Sequence, residues 1–342
     1  MPSSTSNSND RAAKFLNERW KIFWLAVVVF FLVFVASWEA GWRIFGFEPN
    51  ITDDWPVWSE IRRAANKSGT AVALVGSSRI MVGMEPEVLE EMTKTDVFML
   101  AIDGSNPLPV LQHLAEDPNF IGKVICSLPP YWLAGSSTTG EDRTLKWLRK
   151  YSAQPLSSRI ETRLLKFVQS HLVFRSSGLS PQQIWSKWYL DEPILPPYAP
   201  MRPDRYRKAD YSRTDLASLR ASRVQRTREL HRQLEILQPG AFESRIERIR
   251  LYVEKIQDRG GKVAFIRFPS CGSVREIEEK TVPREHYWDI FAERVSAYFL
   301  HFEDYARLSD FKCMDGSHLN YNDAEQFTRE VAKLLLRRDF FE

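Results

Sequence analysis

The residues able to do chemistry gather in two short stretches. Val75-Gly76-Ser77-Ser78-Arg79 ends the apolar run Ala71–Val75 and presents two hydroxyls and a cation where a strand must stop. Asp315-Gly316-Ser317-His318, in a polar loop near the C-terminus, sets a carboxylate three residues from an imidazole. A serine is a nucleophile only when a base takes its proton, and the base needs an acceptor to hold its tautomer. Ser78, His318 and Asp315 supply those three groups. Arg79 is a further charged group at the same turn, with a role that spacing alone does not assign. Each stretch also has a plain reading: a strand-ending turn for the first, and a helix N-cap at Asp315 or Asn320 for the second.

Other chemistries find little support. His113, His171, His231 and His286 fall in stretches with helical periodicity, and His301 falls beside a strand. An imidazole in such places is ordinarily structural. There is no His-Glu-x-x-His motif, no phosphate-binding glycine loop and no nucleic-acid motif, so neither a metal nor a cofactor is expected. Cys126, Cys271 and Cys313 form no Cys-x-x-Cys pair, which excludes a disulfide framework and zinc spacing. Cys271 and Cys313 both lie in loops at the edge that carries the candidate site. In an oxidising compartment a bridge between them is one alternative, and two free thiols the other.

Net charge is +3, but it is unevenly placed. Residues 202–250 hold 13 Lys/Arg against 7 Asp/Glu, a net of +6, which leaves the remainder at −3. Such a segment either meets an anionic surface or polymer, or forms a solvated helix face.

The elements that must position these groups begin with a membrane signal. Residues 1–10 are polar and expected to be disordered, and Arg11, Lys14, Arg19 and Lys21 follow. Ile22–Trp38 is then 17 residues without a charge, with Trp20, Trp24, Trp38 and Trp42 near its two ends. That length spans roughly 26 Å as a helix, slightly short of a hydrocarbon core of about 30 Å. The basic residues before it predict a cytoplasmic N-terminus and an extracytoplasmic remainder. Bulky Phe34 and Trp38 stand at −3 of the two small-residue sites, so an uncleaved anchor fits better than a signal peptide.

Beyond a linker or first loop at Glu48–Trp58, apolar strands alternate with helices. Strands are expected at Ala71–Val75, Asp96–Ile102, Lys123–Leu128, Lys262–Phe268 and within Tyr298–Tyr305. Helices are expected at Glu85–Lys94, Pro107–Glu116, Phe242–Ile256, Pro283–Ala297 and Asp323–Leu336. This spacing means a parallel sheet of about five strands with helices on both faces. Residues 133–240 lack strand signals, and the pattern predicts helices at about 141–151, 157–172, 181–190 and 214–237 around a proline-rich loop. The chain thus divides into a cytoplasmic tail (1–21), a transmembrane helix (22–38), a linker and first helix (39–69), and an α/β domain (70–342) with a helical cap inserted at about 133–240. Ligands of open α/β sheets bind beyond the carboxyl ends of the strands, where both chemical stretches fall.

The combination resembles the SGNH (GDSL-like) hydrolase superfamily. "VALVGSSR" is similar to its serine block, with Ser78 in the nucleophile's place. "AIDGSN" is similar to its glycine block and offers Gly104, and "DGSHLN" to its last block, with Asp315 and His318. The third block departs, because Pro129-Pro130-Tyr131 stands where Gly-x-Asn is usual; Asn106 is the nearest substitute and Arg79 another. The resemblance implies a flavodoxin-like sheet and a Ser78 acyl-enzyme. It implies an oxyanion held by the N–H groups of Ser78 and Gly104 with the Asn106 amide. Membrane-anchored members resemble extracytoplasmic proteins of surface-polymer acylation that work beside a membrane-bound O-acyltransferase. That implies a single-pass protein of the plasma or inner membrane, acting on acyl esters of a cell-envelope glycan. A non-catalytic scaffold of the same fold and a sugar-binding module remain as alternatives.

Overall fold

The computed structural model describes residues 7–135, 141–236 and 240–342. Of the polar tail, residues 1–6 lie outside the described residues, and 7–10 begin a helix. The cap expected at 133–240 includes 136–140 and 237–239, which also lie outside them.

The order is α1 (Asn7–Ile44), α2 (Trp55–Ala65), β1 (Val72–Val75), α3 (Ser78–Gly83), α4 (Pro86–Thr93), β2 (Val97–Met99), α5 (Leu108–Glu116), β3 (Lys123–Ser127) and α6 (Pro130–Ala134). Then come α7 (Glu141–Ala153), α8 (Leu156–His171), α9 (Pro181–Tyr189), α10 (Leu216–Arg232) and α11 (Ala241–Gln257). The chain closes with β4 (Val263–Arg267), α12 (Gly272–Thr281), α13 (Arg284–Arg294), β5 (Tyr298–His301), α14 (Ala306–Ser309) and α15 (Tyr321–Leu336).

The five strands form one parallel sheet in the order β2-β1-β3-β4-β5, the doubly wound, flavodoxin-like order. Its strands are apolar runs because both faces are covered. Ala73 and Val75 point into one core, with Trp58, Leu111, Ile249 and Phe291, while Val72 and Leu74 point into the other, with Leu89, Phe327 and Val331. The order reverses between β1 and β3, and that crevice carries Ser78.

Several elements differ from expectation. Helix α2 starts at Trp55, inside the presumed linker, because Asp54 caps it by accepting from Val57 N at 3.2 Å. Its Trp58 is fully buried and donates to Leu100 O at 2.9 Å. Helices α3 and α6 are too short for periodicity to register. Half of the residues of helix α12 are charged and it buries only Val274 and Glu278, so it shows no apolar stripe. Helix α1 outruns the 17-residue span: residues Arg19–Ile44 are long and apolar enough to cross a membrane, and the most apolar stretch within them is not buried by the rest of the protein. The Glu39–Arg43 pair at 2.7 Å carries it past Trp38.

Part of the basic segment is the expected solvated helix face, since α10 buries only Thr227 and His231. Several arginines on either side of that helix are instead internal clamps. Arg205 is fully buried, pairs with Asp53 at 2.6 Å and donates to Met99 O at 2.8 Å. Arg207 pairs with Asp103 at 2.6 Å, and Arg202 with Glu85 at 2.5 Å. Buried Arg245 donates to Trp132 O. These bonds bind the insertion to the carboxyl edge of the sheet.

Arg205→Met leaves partly buried Asp53 with only the more distant Arg207, at 4.0 Å, as its cation. A loss of about 3–5 kcal/mol in unfolding free energy is expected, read by urea denaturation in detergent.

Candidate active site

At Gly76, immediately past the end of β1, nothing larger fits without a shift of its neighbours. A Cβ there would stand 2.5 Å from Ile80 Cγ2 and 3.1 Å from Ser127 Cβ. The chain then turns directly into α3, which puts Ser78 at a helix start above the sheet. The loop after β5 arrives from the other side. It is stapled by Cys271 N donating to Gly316 O at 3.0 Å and Met314 N donating to His318 O at 3.0 Å. Gly316 takes φ +89°, a left-handed backbone that a side chain would strain.

These two loops bring the three groups into line. His318 Nε2 lies 2.8 Å from Ser78 Oγ, and His318 Nδ1 lies 2.8 Å from Asp315 Oδ2. Asp315 Oδ1 also accepts from the N–H of Ser317 at 2.9 Å and of His318 at 2.8 Å. The N-cap reading of this loop fails: Asn320 precedes α15 without a side-chain cap, and Asp315 Oδ1 accepts from N–H groups of its own loop rather than of α15. With Asp315 ionised, Nδ1 must donate to it, which leaves Nε2 as an acceptor for the Ser78 hydroxyl.

Asp315 and His318 are both buried, at 1% and 4% exposure. Burial would raise the Asp315 carboxyl, but His318, Arg223 and the loop N–H groups outweigh it and hold it well below the usual carboxylate range. For His318 burial is the largest influence and lowers its proton affinity. Asp315 opposes this, and Arg223 and Arg79 reinforce it, so the imidazole ends below its ordinary value.

A cavity of about 400 Å³ opens over Ser78 and His318. Ser77, Arg79, Gly104 and Pro129 line it from the sheet edge, and Tyr131, Tyr198, Arg207, Arg223 and Arg226 from the helical insertion and its approaches. Arg79, unassigned by spacing, is buried: it forms an ion pair with Glu278 and donates Nε to Ser317 Oγ at 3.1 Å. Burial alone would raise Glu278, yet Arg79 and Arg267 bring it down to about 2. Arg79 therefore holds the loop that carries His318.

The expected oxyanion donors are brought together only in part. Gly104 lines the cavity beside Ser78, and neither backbone N–H is engaged elsewhere among the described residues. Asn106 is turned away. Its amide donates to Glu141 at 3.2 Å and its carbonyl oxygen accepts from Leu108 N at 3.0 Å, so it serves the start of α5. A residue that sequence reasoning passed over stands near that gap: Arg226 Nη2 lies 3.5 Å from where a Gly104 Cβ would be. Arg226 makes no hydrogen bond or ion pair among the described residues. The other missed residue is Arg223, whose Nε and Nη2 both reach Asp315 Oδ2 at 3.2 Å. Both are on α10, and only the excess of arginine in that segment hinted at them.

Cys271 and Cys313 are free thiols, so the disulfide alternative does not hold in this structure. They are nonetheless neighbours, with Cys313 N donating to Cys271 Sγ at 3.1 Å. A second cavity, about 410 Å³, lies beyond Glu278. Its arginines are paired with Glu278, Glu279, Glu303 and Asp304, and no serine or cysteine lines it.

No protein-family model and no curated protein matches this chain.

The reactive form of this array has neutral His318. Because its pKa is lowered, Ser78 reactivity toward a fluorophosphonate is expected to hold through neutral pH and to fall only below the ordinary imidazole range. Arg223→Gln removes a cation that opposes protonation of His318. The acid limb of the rate–pH profile then moves to higher pH; a limb that stays in place or moves down contradicts this electrostatic role.

Proposed function

We propose that the chain is a membrane-anchored serine ester hydrolase or O-acyltransferase of SGNH type, which forms an acyl-enzyme on Ser78. The observation that supports this most is the continuous 2.8 Å and 2.8 Å contact from Ser78 through His318 to a buried Asp315, at the floor of a cavity. Ser78 Oγ attacks the acyl carbonyl while its proton passes to His318 Nε2. Asp315 stays ionised and balances the imidazolium. Collapse of the tetrahedral intermediate breaks the ester C–O bond, and the departing alkoxide takes the proton from His318. Water or a second hydroxyl then gives its proton to His318 and attacks the acyl-serine, yielding a carboxylic acid or a new ester and restoring Ser78.

The developing oxyanion needs donors already in place. The N–H groups of Ser78 and Gly104 are two, and the Arg226 guanidinium is the third, in the role otherwise assigned to Asn106. The substrate class follows the resemblance and the anchor: acyl esters of a cell-envelope glycan, met outside the plasma or inner membrane, with a membrane-bound O-acyltransferase as partner. One observation favours a second reading, a non-catalytic scaffold. Pro129-Pro130 occupies the turn after β3, and Asn106 is committed to Glu141.

Fluorophosphonate labelling of the full chain separates the two. Wild type is expected to label, and Ser78→Ala and His318→Ala are expected to lose the signal. A folded wild type that does not label, or labelling untouched by both changes, favours the scaffold. Arg226→Met is expected to lower the hydrolysis rate of an activated ester on the order of 10²–10³-fold with little change in KM.

A further inference from the structure

The helical insertion is partly inside out. Helix α8 turns Thr162 and Gln169 inward, where Gln169 exchanges hydrogen bonds with Thr52 at 3.1 Å through both ends of its amide. Its outer face carries Leu156, Ile160, Leu164 and Phe167, spaced 4, 4 and 3 apart on one side of the helix and 51–70% exposed. Helix α9 buries nothing and exposes Trp185 at 65%, Trp188 at 68% and Tyr189 at 77%. A water-facing helix has the opposite pattern, so this face is built for an apolar neighbour.

The neighbour is indicated by what the face is attached to. The last turns of α1, the helix suited to cross a membrane, are bonded to the end of α8. Arg43 Nη2 donates to His171 O at 2.8 Å. Glu39 accepts from Val173 N at 2.9 Å and Phe174 N at 3.0 Å. Trp42 packs on Phe47, Val173 and Leu179. The point at which the chain leaves a bilayer is therefore fixed to α8. Residues 156–190 also hold five Lys/Arg against one Asp/Glu, which suits anionic headgroups. An apolar stripe, exposed tryptophans and surrounding cations are the features of a helix lying in a lipid interface.

We propose that α8 and α9 form a second membrane contact, lying in the headgroup region of an anionic leaflet beside the exit of α1. The anchor then does more than tether: the insertion that bears Arg223 and Arg226 rests on the lipid surface, and the domain has one orientation on it.

The test is photo-crosslinking of the purified full chain in vesicles of phosphatidylcholine and phosphatidylglycerol. p-Benzoylphenylalanine is placed singly at Leu164, at Trp188, at Leu32 within α1, and at exposed Gln326 on α15. Melting curves matching wild type establish that each variant is folded. A lipid-sized mass increment at Leu164 and Trp188, as at Leu32, with none at Gln326, is the expected result. An increment at Leu32 with none at Leu164 or Trp188 overturns the proposal. So does a protein adduct at both positions in native membranes without a lipid adduct, which assigns the face to a membrane-embedded protein. Neither result depends on the reactivity of Ser78.

Discussion

The carboxylate of Asp315 is the point that the site depends on. It is almost fully buried and accepts four hydrogen bonds: from two N–H groups of its own loop, from His318 and from Arg223. A buried charge is tolerated only when it is paired and its lone pairs are used. Those four donors come from the C-terminal loop and from the helical insertion, so satisfying one carboxylate draws distant parts of the chain together over the end of β1. The imidazole orientation, and hence the Ser78 contact, follows from that requirement.

The same electrostatic logic extends outward. Glu278 holds Arg79 and Arg267, and Arg79 in turn holds Ser317 beside the imidazole. Asp53 and Asp103 hold Arg205 and Arg207. Part of the positive charge in residues 202–250 is thus matched to carboxylates in the negatively charged remainder of the chain. Pairs of this kind stabilise less than their Coulomb energy suggests, because each ion first loses its water. What they supply is placement, and here they place a helical insertion over a sheet edge. Arg226 stands apart because it faces the cavity without a carboxylate.

Legibility in the sequence followed the strength of each local signal. The five strands were plain because both faces of a parallel sheet are covered, which makes each strand a continuous apolar run. Helices α5, α11 and α15 were plain because they bury one stripe. Helix α12 was not, since its main buried contact is ionic through Glu278, and a charged helix without a stripe carries no periodic signal. Helix α3 escaped because six residues are less than two turns. Asn106 illustrates the converse. Its position beside Gly104 suggested a donor facing the site, but a side chain two residues before a helix start is well placed to cap it, and Leu108 N takes its oxygen.

By itself the sequence determined the α/β alternation, the apolar N-terminal helix and the two polar loops that carry the candidate site, since these depend on burial periods and on turn residues that act within a few positions. Tertiary structure alone decided that Ser78, His318 and Asp315 stand in line, that Asn106 turns away, and that Arg223 and Arg226 reach the cavity from α10. The Arg223–Asp315 and Ser78–His318 contacts join residues 92 and 240 positions apart, and Asn106 pits one local bond against another. No local pattern encodes such distances, because they are set by where the folded sheet edge and the insertion meet around a buried charge.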